Sequence, residues 1–289
     1  MIAGLPLPWP FEREYMQLAL VAGMVVGLAA PLIGTFLVQK QMSLMGDGIG
    51  HVAFAGVAAG LLLGVFPLWT ALIAAVAGAV GIEWLRLQGR AAGDLALAMF
   101  FYTGIALAVV LSSLAGSLNA SVLSYLFGAI LTVSVSDTLV IVALGSVILV
   151  GMALCWRALF AVVLDERASR VAGLPVTGLS LGLATMAAVT VVASMRVVGV
   201  LLVAALMVLP VGAAQRLARS FRATMALASA LGGGSVFIGL IVARIWGIAP
   251  GGTIVLVAAA FFAVTSLTRP RSRRSRVGGH RGATVGELP

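Results

Sequence analysis

The segment MSLMGDGIGHVAFAGVAAGLLLG, Met42 to Gly64, decides how the rest of the chain is read. Its later part is apolar without interruption, and its start carries a carboxylate, Asp47, and an imidazole, His51. With a helix beginning near residue 44, the four-residue spacing puts both side chains on one face, one above the other. Ionisable residues entering a membrane segment are costly and mark a path for an ion or polar substrate. His51 is the sole histidine outside the C-terminal tail, and Asp47 is one of nine acids among 289 residues. Gly46, Gly48 and Gly50 alternate around Asp47, and each costs about 1 kcal/mol against alanine in a regular helix. Such a run permits a distorted helix start and close approach by a neighbouring backbone or an ion. The competing reading is a cytoplasmic turn, with Asp47 as a helix cap and His51 at the membrane surface. Spacing alone leaves both open.

Outward from that segment, the chain is 62% hydrophobic and 9% charged, with a mean hydropathy of +1.17. Soluble domains carry about 45–50% apolar and roughly 25% charged residues, so an all-α, polytopic transmembrane bundle of about eight to nine spans is expected. Runs long enough to cross fall near 16–38, 50–66, 67–85, 94–115, 136–156, 177–195, 198–214, 223–243 and 252–268. The stretch SVLSYLFGAILTVS, Ser121 to Ser134, is apolar but too short to cross, and reads as interfacial or re-entrant. Residues 1–15 form an interfacial lead-in, with Trp9, Phe11 and Tyr15 around Pro8 and Pro10. No basic stretch precedes their apolar part, so a cleaved signal peptide is not expected. Residues 16–268 form the transmembrane domain, and 269–289 a basic, disordered tail whose arginines touch anionic lipid.

The net charge of +9 comes almost wholly from arginine, Lys40 being the sole lysine. In a soluble protein this balance would raise nucleic acid as a partner; here the arginines sit in short loops, which excludes that reading in favour of topology. With the N-terminus outside and the C-terminus cytoplasmic, only Arg13, Arg196 and Arg244 of the eighteen basic residues fall outside. Glycines at four-residue spacing, Gly23 with Gly27 and Gly56 with Gly60 and Gly64, suit close helix contact in lipid. Gly232, Gly233 and Gly234 mark a weak point or a tight packing site. The connection from Arg157 to Val176 contains DERASRVAGLP, which reads as a short helix with Asp165 and Glu166 at its start and Gly173 with Pro175 at its end.

Much chemistry is missing. There is no phosphate-binding GxxxxGK[ST] loop, no HExxH, no CxxC and no GxSxG, so an enzyme is not expected and no cofactor is held permanently. The lone Cys155 excludes an internal disulfide and reads as a small buried apolar residue. His280 in the tail has no neighbouring ligand residue. Glu83, Asp94 and Asp137 lie at span ends and read as boundary charges rather than a proton relay. Asp47 and His51 can ligate Zn²⁺, Mn²⁺ or Fe²⁺, but two ligands do not close a tetrahedral site. A two-fold dimer with this segment at its axis would supply four.

Several long motifs, in order, carry a resemblance. They are FEREYMQLALVAG from Phe11, GTFLVQKQMSLMGDGIGHVAFAGVAAG from Gly34 and LSYLFGAIL from Leu123. DERASRVAGLPV from Asp165, MRVVGVLLVAALMVLPVGAAQRLARS from Met195 and PGGTIVL from Pro250 follow. The chain resembles the permeases of bacterial zinc- and manganese-type ABC importers, most of all the high-affinity zinc permeases. The resemblance implies a type II importer fold in the bacterial cytoplasmic membrane. It implies a homodimer docked on a cytoplasmic ABC ATPase dimer, fed by an extracytoplasmic metal-binding protein. It implies that Asp47 and His51, at the positions of an Asp-x-x-x-His pair, contact the transported ion. It also implies that Asp165, Glu166, Ala168, Val171, Gly173, Leu174 and Pro175 fall on the helix that couples to the ATPase. The cargo expected first is Zn²⁺, with Mn²⁺, Fe²⁺ or a metal chelate as alternatives, and an ATP-independent carrier as a further one. The arginine-rich tail lies outside the shared pattern, and no loop is histidine-rich.

Overall fold

The computed structural model describes residues 10–89, 93–114, 120–130 and 133–268. The chain folds as helices α1 (Glu14–Gln39), α2 (Met45–Leu63), α3 (Pro67–Leu87), α4 (Gly93–Leu114), α5 (Ala120–Phe127) and α6 (Val135–Leu164). These are followed by α7 (Glu166–Val171), α8 (Val176–Met195), α9 (Val200–Leu217), α10 (Phe221–Trp246) and α11 (Pro250–Thr268). Among the described residues nine of these are long and apolar enough to cross a membrane, α5 and α7 being the exceptions. In lipid every backbone polar group must be satisfied within the segment, which leaves the helix as the solution for such runs.

The bundle is built around α1 and α2, whose most apolar windows are 67% and 61% buried, against 28% for α4, α6 and α11. Small residues set which helices touch, because lipid tails offer no hydrophobic drive and close backbone contact has to supply the attraction. Gly27 on α1 faces Gly232 on α10, and a β-carbon added to Gly27 would stand 2.9 Å from the Gly232 carbonyl oxygen. Gly56 and Gly60 seat α3 through Thr70 and Pro67. Gly232 therefore belongs to a tight packing site. Gly64 does something else: it has φ +66° and no neighbour, and closes α2 as a left-handed cap. Gly27→Val is expected to destabilise the bundle by about 1–3 kcal/mol through overpacking, read as a lower unfolding temperature in detergent. An unchanged midpoint would mean that α1 and α10 slide apart freely.

Two boundaries differ from the hydropathy reading. Helix α2 begins at Met45, so Asp47 lies within its first turn and not in a loop before the span. Helix α6 continues to Leu164, eight residues past the span end expected at 156. RALFAVVL holds no glycine or proline, and Leu159 and Val162 are buried on the inner face, so nothing stops the helix there. The connection to α8 is correspondingly short. The apolar piece after residue 120 forms the eight-residue α5, which does not span. The turn after α5 is closely packed against the α8–α9 turn, with Gly128 and Gly199 in mutual backbone contact. In the lead-in, Phe11 stacks on Phe237 at 5.7 Å, and Arg244 lies 5.9 Å from the Tyr15 ring. Trp9, Arg90 and the tail from Arg269, with His280, lie outside the described residues. Cys155 is half-buried at the edge of the core.

Candidate functional site

Helix α2 packs on α4 along the face that carries Asp47 and His51. The glycines decide this. Gly46 turns toward Ala204 and Met207 of α9, and Gly50 toward Val200 and Val191, leaving the polar pair on the α4 side. At His51 the two helices meet backbone to backbone: a β-carbon on Gly104 of α4 would stand 2.9 Å from the His51 carbonyl carbon. The imidazole meets the Phe101 ring edge-on at 4.5 Å. Asp47 lines a cavity of about 300 Å³ with Leu44, Gly48, Asp94, Leu97, Ala98, Phe101 and Tyr102. His51 is one turn further along and does not line it; Phe101 is the wall that both share.

The cap of α2 is Leu44, and no side chain caps it, so Asp47 is not serving as the helix cap of the competing reading. Among the described residues neither Asp47 nor Asp94 has a hydrogen-bond or ion-pair partner, and no three acidic, histidine or cysteine side chains cluster as a closed metal site. Asp47 is a half-buried carboxylate without a partner in a largely apolar cavity, which is expensive unless a cation or water meets it, and the exposed Asp94 adds a second negative charge at the same cavity. Asp94 was not legible as a site residue, because its position at a span start is also where an ordinary boundary charge would sit.

A second polar centre lies where α1, α3, α7 and α8 converge. The Lys40 ammonium donates to Glu83 Oε1 at 2.8 Å and to Ser180 Oγ at 3.1 Å, and stands 3.4 Å from Glu166 Oε1. Arg86 donates through Nε and Nη2 to Glu83 at 3.0 and 2.7 Å, and through Nη2 and Nη1 to both oxygens of Glu166. Glu83 is thus no boundary charge; its side chain is 1% exposed. Burial opposes ionisation of Glu166, but the hydrogen bonds and charge of Arg86, together with Lys40, outweigh it and hold its carboxyl below the usual glutamate range. Its contribution is therefore complete at neutral pH and is lost only as pH falls through that lowered value.

Helix α7 starts at Asp165, whose Oδ1 accepts from the Arg167 and Ala168 backbone N–H groups at 2.9 Å each. It ends at Gly173, which has φ +80° and donates to the Arg170 carbonyl. Asp165, Ala168, Val171, Gly173 and Pro175 are exposed, Leu174 is half-buried, and Glu166 alone of the seven expected coupling residues turns its charge inward. Glu166, Arg167, Arg170 and Val171 line a hollow of about 440 Å³. At the far end of α6, Asp137 closes a capping box with Ser134 and accepts from Arg196 at 2.8 Å, so it is a structural anchor.

The profile of the ABC 3 transport family matches residues 12–269. A probable metal transport system membrane protein of Treponema pallidum is 32% identical over 266 residues, 90% of this chain and 99% of that one. The manganese transport system membrane protein MntC of Listeria monocytogenes is 30% identical, over 90% of this chain and 92% of its own length. Among solved structures, PsaBC from Streptococcus pneumoniae in complex with Fab superposes with a TM-score of 0.78 at 29% identity, covering 87% of this chain and 90% of that one.

Proposed function

Because this chain belongs to the ABC 3 transport family, we propose that it is the membrane-spanning permease of an importer that carries a divalent transition metal ion into the cytoplasm. It is a multi-pass membrane protein and a transport component, not an enzyme. The observation that carries the cargo is the partnerless Asp47, sharing one cavity with Asp94 beside His51. Its volume suits an ion with a few waters better than a bulky chelate. Carboxylate-rich donor sets suit Mn²⁺, while added imidazole suits Zn²⁺ and Fe²⁺. Two carboxylates in the cavity, with His51 outside it, put Mn²⁺ first and Zn²⁺ second, and the relative named for manganese agrees with that order.

The cavity opens on a face where Leu44, Leu95, Met99 and Tyr102 are exposed. Carboxylates do not face lipid tails, so a second copy of the chain covers this face and brings its own Asp47 and His51. Tight binding is not required of a site that must also release its ion. An ATPase dimer sits on the exposed side of α7 at the cytoplasmic surface, with the N-terminus outside, and an extracytoplasmic metal-binding protein delivers the ion. Uptake of radioactive Mn²⁺ into proteoliposomes holding permease and ATPase, with unlabelled Zn²⁺, Fe²⁺ and Mn²⁺ as competitors, tests this reading. ATP-dependent Mn²⁺ uptake that excess Mn²⁺ suppresses most strongly is expected. Uptake indifferent to ATP would overturn the importer, and strongest suppression by Zn²⁺ would return zinc to first place.

A further inference from the structure

We infer that Lys40, Glu83, Arg86 and Glu166 form a charge latch through which movement of α7 is transmitted to the start of α2, where Asp47 sits. The inference rests on the reading that α7 docks an ATPase. Two cations and two anions meet, so the cluster is neutral as a whole, and removing any member leaves a buried charge uncompensated. Its members differ in freedom. The Glu83 and Lys40 side chains are 1% and 8% exposed, Glu83 within the long α3 and Lys40 at the C-cap of the long α1. Glu166 is 29% exposed and belongs to a six-residue helix held between the extended Asp165 and the left-handed Gly173. Glu166 is therefore the member that can leave, and Arg86, bound to both carboxylates, is the hub.

The other end of the latch reaches the ion site through a stiff turn. After Lys40 the chain reverses at Gln41, with φ +61°, the only left-handed non-glycine among the described residues. Gln41 donates to Val38, Met42 to Leu37, and Met45 to Met42, so Lys40 is joined to the first turn of α2 by a continuous hydrogen-bonded reversal. A side chain at that residue pulls on Asp47 without a slack loop between them. Ser180 fixes the ammonium from α8 and gives it a second partner whether or not Glu166 is in place. In this account Glu166, Arg86 and Lys40 are positioning residues that touch no ion.

The test uses the assembled complex of permease, ATPase and metal-binding protein in proteoliposomes, and reads Mn²⁺ imported per ATP hydrolysed. Arg86→Gln and Glu166→Gln are each expected to lower that ratio about tenfold, within the range of ordinary coupling energies. A merely structural role would reduce uptake and hydrolysis together and leave the ratio in place. Arg86→Lys, which keeps the charge, is expected to restore most of it, and the double variant to be no worse than either single one. An unchanged ratio in both single variants overturns the latch. A wild-type complex whose Mn²⁺ uptake ignores ATP overturns the importer reading instead, and is distinguishable because it appears before any variant is made.

Discussion

Asp47→Ala and His51→Ala are each expected to lower metal accumulation by about two orders of magnitude, at or beyond what loss of even an outer-shell ligand partner costs in metal sites, while the protein still reaches the membrane. Asp47 is the half-buried one of the two partnerless carboxylates on the cavity, and in the proposed dimer its loss would remove two ligands at once. The Gly104 contact holds the His51 backbone against α4, and Phe101 meets the imidazole edge-on at 4.5 Å. Asp94→Asn keeps the shape and removes the second charge, so a smaller loss, about tenfold, is expected. Accumulation of radioactive metal in cells, normalised to membrane-inserted protein, measures all three. Wild-type uptake in the Asp47→Ala and His51→Ala double variant would remove the proposed site, whereas wild-type uptake in Asp94→Asn alone would return Asp94 to a boundary charge.

The second large effect is on stability. Glu83→Ala is expected to cost about 3–5 kcal/mol, because it leaves the buried Lys40 and the half-buried Arg86 as two cations with only Glu166 between them. Glu83→Gln retains one acceptor and some packing, so its cost should be smaller. Thermal unfolding in detergent distinguishes the outcomes. A loss below about 1 kcal/mol, the range of solvated surface pairs, would mean that water reaches the cluster. This prediction is independent of transport and of any partner. Buried ion pairs add little net stability over an apolar equivalent; what they do is fix one arrangement of α1, α3 and α7.

Most of the architecture follows from the residues in order. Runs of apolar side chains with few charges can only be helices in lipid, so nine crossing segments, the non-spanning α5 and the short α7 are all local consequences of composition. The four-residue spacing of Asp47 and His51 likewise put them on one face before any neighbour was known. Helix lengths were less legible, as α6 shows: hydropathy falls at Arg157, but the backbone continues because nothing there breaks it. Gly64 departs from the packing role its spacing suggests for a related reason, since a spacing of four describes a helical glycine and a helix-closing one alike.

What the tertiary structure alone decided is which distant charges share a space. Glu83 and Glu166 are both acids near span ends, and the pairs they make cross 43 residues to Lys40 and 80 residues to Arg86. Asp94 joins Asp47 only because Gly104 lets α4 lie on the α2 backbone. Periodicity reports one helix face at a time, while electrostatic partnership depends on which two faces meet. That meeting is set by small-residue contacts spread over the whole bundle, and it turns Met42 to Gly64 from an apolar span with two odd residues into one wall of a cavity that also holds Asp94.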